Sequence, residues 1–248
     1  MQKFFDSFTL SQFAVYSDAQ EQEVKQRRAF DAQKFYERAG VPKRYFHESF
    51  KTFETNTTER KELFGVVKSF LQEVKQGKWR TLVLIGNAGT GKTHLASAAI
   101  REILQTEIEN EYSFYVSEKQ YMSAHYYESF DIVDRLRSAQ SFSSAVTPAK
   151  VIETLVKRDL TVIDEIGRAK SEDEKRELFR VFNALYNNCR SSILIGNFAN
   201  KKSFYEYVGG AFVDRLSESG VVYETKGRSY RFDKNNDKKS DIESYTEK

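Results

Sequence analysis

The feature that most constrains the fold of this 248-residue chain is the run GNAGTGKT at residues 86–93. It follows the apolar run TLVLIG and opens KTHLASAAIREIL, a segment rich in helix-forming residues. A glycine-rich turn between a strand and a helix is typical of a phosphate-binding loop, because its backbone N–H groups and the helix N-terminus both favour an anion. This context argues against a chance glycine turn.

Each residue type in this run has a physical reason to be there. Gly86, Gly89 and Gly91 let the backbone turn tightly around phosphate oxygens, Lys92 supplies a cation for the β- and γ-phosphates, and Thr93 supplies a hydroxyl for a metal ion. We therefore predict ATP and Mg²⁺ as cofactors. The predicted nucleotide-binding residues are Gly86, Asn87, Ala88, Gly89, Thr90, Gly91, Lys92, Thr93 and His94.

Short apolar runs alternate with helical segments through the middle of the chain. Runs of this length are typical of strands buried on both faces of a parallel sheet, and their alternation with helices predicts an α/β fold. An amphipathic helix is predicted at 59–76, and VVYETK is a further strand-like run. The predicted buried strands are TLVLIG at 81–86, YSFYVS at 112–117, LTVIDE at 160–165 and SILIGN at 192–197.

Two of these runs end in residues that can serve a phosphate site. Asp164 is the predicted Mg²⁺ ligand, acting through water, and Glu165 is the predicted base that orients and deprotonates the attacking water. Asn197 is predicted to hold the same water or the γ-phosphate from the opposite side. The alternatives are solvated caps for the two acids and a simple turn former for the amide.

Composition bounds the class of protein. Cys189 is the sole cysteine, so neither an intramolecular disulfide nor a multi-cysteine zinc site can form. A net charge of +3 is too balanced to indicate nucleic-acid binding by itself. No stretch approaches the roughly 18 apolar residues of a membrane span. We expect a cytoplasmic protein without membrane contact, and His47 and His125 read as solvated or core histidines rather than metal ligands.

Several motifs resemble one branch of the AAA+ ATPases, the DnaC helicase loaders and the IstB transposition helpers. GNAGTGKTHLASA and LTVIDEIG are similar to the first and second motifs of that branch. GVPKRYFHESFKTFE resembles the linker ahead of its ATPase core, and GGAFVDRLSESG resembles the motif that bears its arginine finger. The resemblance covers about residues 39–232 and implies a parallel sheet flanked by helices, without a C-terminal lid domain.

The same resemblance implies roles for two further regions. Arg215 would reach the nucleotide of a neighbouring subunit, so that self-association completes the site; the alternative is a surface arginine paired with Asp214 or Glu218. A helical insert at 118–144 would contact single-stranded DNA, and the alternative is packing. Its candidate contact residues are Lys119, Tyr121, Tyr126, Tyr127, Arg135 and Arg137.

These expectations define a domain plan and two competing functions. Residues 1–45 are predicted to form a helical extension and linker that binds a helicase, 46–232 the AAA+ domain, and 233–248 a disordered tail. The first function is an ATP-dependent loader that places a hexameric replicative helicase on single-stranded DNA. The second is an IstB-type helper of a transposase on duplex DNA. A regulator that binds nucleotide without hydrolysis is disfavoured, because every predicted catalytic residue is present.

Overall fold

The computed structural model describes residues 34, 36–108, 121–141, 144–169, 171–227 and 229–230. In these ranges one or two α-helices lie between successive strands, after a short 3-10 helix at Lys43–Tyr45. The strands are β1 (Thr81–Gly86), β2 (Ala124–Glu128), β3 (Leu160–Ile166), β4 (Ser191–Gly196) and β5 (Gly220–Thr225). The helices are α1 (Thr58–Lys75), α2 (Lys92–Ile103), α3 (Ser129–Ala139), α4 (Pro148–Val156), α5 (Glu172–Asn187), α6 (Lys201–Val208) and α7 (Gly210–Ser219).

The five strands form one parallel sheet in the order β2-β3-β4-β1-β5. β1 pairs with a strand on each side, so that Val83 lies opposite Leu194 on β4 and Val222 on β5. Because the strands are parallel, their carboxyl ends all meet at one edge of the sheet. This edge, called the carboxyl edge below, carries the phosphate-loop motif and the acidic pair.

Helices cover both faces of the sheet, as expected for near-continuous apolar strands. On one face, Leu82 and Leu84 pack in a core formed with α1, α2 and the segment 36–53. On the other, Val83 and Ile85 pack with residues of α3, α5, α6 and α7. α1 begins after Thr57, whose hydroxyl accepts the Arg60 N–H at 3.3 Å and so caps the helix.

The predicted α/β fold is confirmed, and so are the strands at β1, β3 and β4 and the helices at α1 and α2. The predicted strand at 112–117 lies outside the described residues. β2 corrects the expectation of a helical insert at 118–144, because residues 124–128 form an edge strand and the helix starts only at Ser129. The pattern of AHYYE hides this strand, since a histidine interrupts its apolar residues.

The segment before α1 is part of the core. Tyr36, Ala39, Val41 and Tyr45 are all buried with residues of α1, α2 and the sheet, and the Tyr36 hydroxyl donates to the Tyr45 carbonyl at 3.0 Å. The boundary predicted at residue 45 thus falls inside one hydrophobic core. Most of the predicted helical extension and linker at 1–45, and the predicted tail at 233–248, lie outside the described residues. Within the described ranges, no helix is long and apolar enough to cross a membrane.

Candidate functional site

The glycine-rich loop connects β1 to α2 at the carboxyl edge. Gly86, Gly89 and Gly91 have φ values of 122°, 79° and 97°, the left-handed region that favours glycine, as the tight turn requires. The ammonium of Lys92 is buried inside the loop, where it donates to the carbonyls of Gly86 at 2.8 Å and Asn87 at 2.6 Å. A cation is therefore fixed at the N-terminus of α2, the end of the helix that favours anions.

Two aromatic residues, Phe53 and Tyr230, contact the loop. A Cβ at Gly91 would lie 2.6 Å from the ring of Phe53, so this ring requires glycine at that position. The guanidinium of Arg60 lies between the rings of Phe53 and Tyr230, at 4.4 and 4.3 Å from their centroids. Tyr230 also donates its backbone N–H to the Gly89 carbonyl at 3.0 Å. The chain after β5 therefore returns to the loop.

Thr225, the last residue of β5, ties that edge strand to the loop. Its hydroxyl lies 3.0 Å from the Thr90 hydroxyl and donates to the Ile85 carbonyl at 2.9 Å. The Thr90 hydroxyl also contacts the Asn87 carbonyl at 3.1 Å. Both threonines are buried, so these hydrogen bonds fix the loop from within. The sequence did not identify Thr225, whose partners are 135 and 140 residues away.

Asp164 lies across the carboxyl edge from the loop and accepts three hydrogen bonds. Its Oδ2 accepts from the hydroxyls of Thr93 and Tyr126, both at 2.8 Å, and its Oδ1 accepts from the Glu165 N–H at 2.7 Å. Burial raises the pKa of the Tyr126 hydroxyl and the Asp164 carboxylate raises it further, so this hydroxyl stays protonated and donates. Thr93 likewise uses its proton on Asp164 and keeps its oxygen lone pairs for another partner.

A β-bulge in β3 contains both Asp164 and Glu165. Ile163 pairs with Leu194 and Ile166 with Gly196, so two residues of β3 lie opposite one residue of β4. Glu165 has a φ of 60°, left-handed for a residue other than glycine. Its carbonyl accepts the Ser129 hydroxyl at 2.9 Å, and this hydroxyl also lies 3.2 Å from the buried Glu174 carboxylate. The bulge interrupts the pairing of β3 with β4 at the two acids that the sequence predicts as metal ligand and base.

Asn197 directly follows β4 and is exposed. β4 lies between β3 and β1 in the sheet, so this amide stands between the acidic pair and the loop. The sheet order thus brings together the strand ends that the sequence predicted to meet. Phe198, next in the chain, packs its ring against Gly167 and Gly196 and so holds the β3 and β4 ends together.

His94 departs from the expectation of a nucleotide contact. Its Nδ1 lies 2.7 Å from the Glu48 carboxylate, and its Nε2 lies 3.0 Å from the Ser49 carbonyl and 3.3 Å from the Thr52 hydroxyl. Its ring also packs edge-on against Phe53 at 5.1 Å. Both ring nitrogens are engaged by the linker, so this side chain attaches the linker to α2 and leaves phosphate contact to the loop.

Arg215 lies near the amino ends of the strands, opposite the carboxyl edge. Its Nη1 donates to the Ala211 carbonyl at 2.6 Å, and its guanidinium lies 5.8 Å from the Phe179 ring centroid and 5.7 Å from that of Tyr186. With Thr81 it lines a small cavity at the amino ends of β1 and β4. The length of β1, roughly 15 to 20 Å, separates it from its own loop. Within the described part of the chain its partners are these groups, and not Asp214 or Glu218.

Comparison with known proteins decides the family. The model of the IstB-like ATP binding protein family matches residues 10–239, nearly the whole chain. The chain belongs to this family. Its sheet order, its loop and its acidic strand end are those of an AAA+ ATPase core, and the chain is an ATPase of this DnaC/IstB-like type.

Relatives of this IstB-like ATPase include curated helicase loaders. The replicative helicase loader DnaC of Buchnera aphidicola subsp. Acyrthosiphon pisum (strain APS) is 22% identical over 210 residues, 84% of this chain and 79% of the relative. The DnaC of Escherichia coli (strain K12) is 24% identical over 206 residues, 83% of this chain and 76% of the relative.

Solved structures show the same fold. The crystal structure of the DnaC helicase loader matches with a TM-score of 0.59 at 20% identity, over 75% of this chain and 100% of that chain. The replication initiator DnaA bound to AMPPCP and single-stranded DNA matches with a TM-score of 0.57 at 20% identity, over 82% of this chain and 56% of that chain.

The predicted DNA-contacting aromatics of this IstB-like ATPase need correction. Tyr126 and Tyr127 lie on β2 and are only 3% and 4% exposed, so neither can stack on a base. Tyr121 is 37% exposed, in an isolated bridge with Glu107. Arg135 and Arg137 are exposed on α3, and Lys119 lies outside the described residues. For two of the three tyrosines, packing is therefore the correct interpretation.

Proposed function

We propose that this chain is an ATP-dependent loader of the hexameric replicative DNA helicase onto single-stranded DNA, with ATP hydrolysis controlling release. The proposal is carried by the likeness to DnaC loaders over 84% of the chain. It is supported by the grouping of the loop, the acidic pair and Asn197 at one edge of the sheet. A cytoplasmic location stays a prediction.

The proposed chemistry follows from the geometry of the carboxyl edge. Lys92 transfers its hydrogen bonds from the loop carbonyls to the β- and γ-phosphates of ATP. Glu165, half-buried in the bulge beside Asp164, orients the attacking water and takes its proton. Asn197 holds that water or the γ-phosphate from the β4 side. Positioning and electrostatic stabilisation by these groups account for most of the catalysis in phosphoryl transfer.

The residues present fit Mg²⁺. The hydroxyl of Thr93 and the carboxylate of Asp164 are hard oxygen donors, which this ion prefers. In the described residues, no cluster of three or more His, Cys, Asp or Glu side chains could hold a metal alone, in keeping with an ion bound through few protein ligands and substrate phosphates. When bound, the ion would neutralise charge developing on the phosphates.

Self-association is part of the proposal. The position of Arg215 at the amino ends of β1 and β4, away from its own loop, supports a role at the nucleotide of a neighbouring subunit. An arginine supplied in this way can contribute on the order of 10³ to 10⁵ in rate. We assign helicase binding to the N-terminal segment 1–45, much of which precedes the described residues. Single-stranded DNA contact is assigned to the ATPase domain at 46–232.

The second candidate is an IstB-type helper of a transposase on duplex DNA. The observation that favours it is the family model itself, which describes IstB-like proteins. Its expected partner is a transposase, and its expected substrate is duplex rather than single-stranded DNA.

The deciding experiment measures ATP hydrolysis and complex formation together. The purified protein is assayed alone, with single-stranded DNA, with duplex DNA and with the replicative helicase of its own organism, alongside size-exclusion chromatography of the helicase mixture. A loader forms a stable helicase complex and responds to single strands. Glu165→Gln should hold this complex together in ATP, and Lys92→Ala should not respond to ATP. Stimulation by duplex DNA alone, without a helicase complex, would transfer the assignment to the transposition helper.

A further inference from the structure

Tyr126 lies in the core and not at a DNA-binding surface. It lies on β2, two residues behind the register position of Asp164 on β3, where Glu128 pairs with Asp164. Its ring packs in the core with Leu160 and Val162, and its hydroxyl reaches the Asp164 Oδ2 at 2.8 Å. A residue expected to touch DNA instead supplies one of the three hydrogen bonds to this carboxylate.

The three donors to Asp164 divide between its two carboxylate oxygens. Thr93 and Tyr126 both donate to the same oxygen of Asp164, while the Glu165 N–H donates to the other. Asp164 is only 4% exposed, so its orientation is set by these donors rather than by water. Each donor comes from a different element. Thr93 lies on α2, the Glu165 N–H lies in the bulge of β3, and Tyr126 lies on the edge strand β2.

The backbone of Tyr126 contacts the segment that precedes α1. Its N–H donates to the Ala39 carbonyl at 2.7 Å. Gly40, with a φ of 76°, lies so close that a Cβ there would be 2.5 Å from the Tyr126 carbonyl oxygen and 2.7 Å from the His125 ring. One residue therefore touches both the N-terminal segment and the aspartate of the site.

We propose that Tyr126 is a positioning residue that holds Asp164 in its metal-binding orientation, so that the contact of Ala39 and Gly40 with β2 sets the Mg²⁺ affinity of the ATP site. A partner that moves the N-terminal segment would change metal affinity, and hence hydrolysis, through this single residue. This regulatory consequence rests on the proposed helicase-binding role of residues 1–45. The positioning role rests on the geometry alone.

The first test separates metal affinity from folding and from nucleotide affinity. Binding of a fluorescent ATP analogue is measured in EDTA and then along a Mg²⁺ titration. For Tyr126→Phe, binding in EDTA should stay within about twofold of wild type, while the Mg²⁺ midpoint rises roughly tenfold, as is typical when an outer-shell partner of a metal ligand is removed. Tyr127→Phe is the control, because that ring lies on the other face of β2 and packs on His125 at 4.4 Å.

The second test examines the contact of Ala39 and Gly40 with β2, by substituting two matched glycines. Gly40 and Gly77 have φ values of 76° and 78°, but a Cβ at Gly77 would meet nothing within 4 Å. Both alanine substitutions strain the backbone equally, and only Gly40→Ala presses on Tyr126. Gly40→Ala should raise the Mg²⁺ midpoint several-fold, and Gly77→Ala should leave it unchanged.

The outcomes are distinct. Equal midpoints for Tyr126→Phe and wild type would overturn the positioning role, as would an equal loss of binding in EDTA and in Mg²⁺. Equal midpoints for Gly40→Ala and Gly77→Ala would overturn the coupling to the N-terminal segment. If the wild-type protein formed no helicase complex but the midpoints moved as expected, the loader assignment would fail while Tyr126 kept its positioning role.

Discussion

Adjacent acids at the end of β3 have separate environments. Asp164 is buried and receives three hydrogen bonds, whereas Glu165, the second residue of the bulge, is half-buried and its carbonyl accepts a hydrogen bond from Ser129. A general base must be free to approach water, and a metal ligand must be held still. The two positions meet these opposite requirements.

Glu165→Gln therefore tests the assignment of the base. The amide keeps the size of the side chain but cannot take a proton, so ATP binding should be retained while hydrolysis falls by about 10² to 10⁴. Binding of a fluorescent ATP analogue and steady-state phosphate release measure the two effects. Lys92→Ala is the contrasting variant, because it should abolish binding itself. Hydrolysis by Glu165→Gln at the wild-type rate would exclude this residue as the base.

His125 makes stability depend on pH. Burial, together with the positive charges of Arg158 and Arg135, lowers the pKa of His125 to about 4. Between pH 6.5 and 4 the unfolded chain binds a proton here that the folded chain does not bind, so the free energy of unfolding falls as pH decreases through this window. Above pH 6.5 this loss is absent.

His125→Gln should remove that part of the pH dependence, about 1 to 2 kcal/mol between pH 7 and 4.5 after allowance for partial exposure. Urea denaturation of wild type and variant at the two pH values measures it. His47→Gln is the matched control, because His47 is exposed. The same pH dependence in both variants would contradict the burial argument.

At the scale of elements, β5 and the phosphate loop act as one unit through Thr225. Thr225→Val keeps the shape of the side chain but removes the hydrogen bonds to Thr90 and the Ile85 carbonyl. We expect a loss of about 1 to 3 kcal/mol in stability and a several-fold loss of ATP affinity, because the loop is no longer fixed from within.

Thr161→Val provides the comparison for Thr225→Val. Thr161 is also buried, and its hydroxyl donates to the Leu155 carbonyl at 3.0 Å, on a strand but away from the loop. It should lose similar stability without losing ATP affinity, as measured by denaturation and by titration with a fluorescent analogue. If both variants lost the same ATP affinity, the loss in Thr225→Val would follow from lower stability and not from a loosened loop.

The elements most visible in the sequence were those with continuous apolar runs. β1, β3 and β4 are buried on both faces and read as strands, and the phosphate loop follows from local spacing. β2 was missed because an edge strand with His125 beside two tyrosines lacks both an apolar run and a clean alternation. Tyr126 and Thr225 could not be assigned to the site, since their contacts join residues far apart in the chain.

At the scale of the whole molecule, the phosphate loop lies at the carboxyl ends of the strands and Arg215 lies near their amino ends. A subunit that lacks Arg215 still has an intact phosphate loop, and one that lacks Lys92 still has Arg215. If the finger acts between subunits, mixing Arg215→Ala with Lys92→Ala should restore part of the ATP hydrolysis that each variant lacks, because a mixed interface contains one complete site.

The readout for Arg215 is phosphate release by the variants alone and mixed, at concentrations where the protein is assembled. Arg215→Ala should bind nucleotide as a single subunit with unchanged affinity. The double variant mixed with Lys92→Ala is the control, because no interface then contains both groups. If mixing restored nothing while the two variants still associated, the finger assignment would be wrong.

The left-handed backbone of Glu165 implies that folding stability and catalysis favour different residues at this position. For a residue with a Cβ this conformation costs roughly 1 kcal/mol, and asparagine tolerates it better than most. Glu165→Asn and Glu165→Ala both lack the base, yet Asn should resist urea better than Ala. Equal resistance would show that the bulge bears no strain. If Glu165 is the base, as proposed, the reaction favours glutamate at this position although the backbone conformation disfavours it.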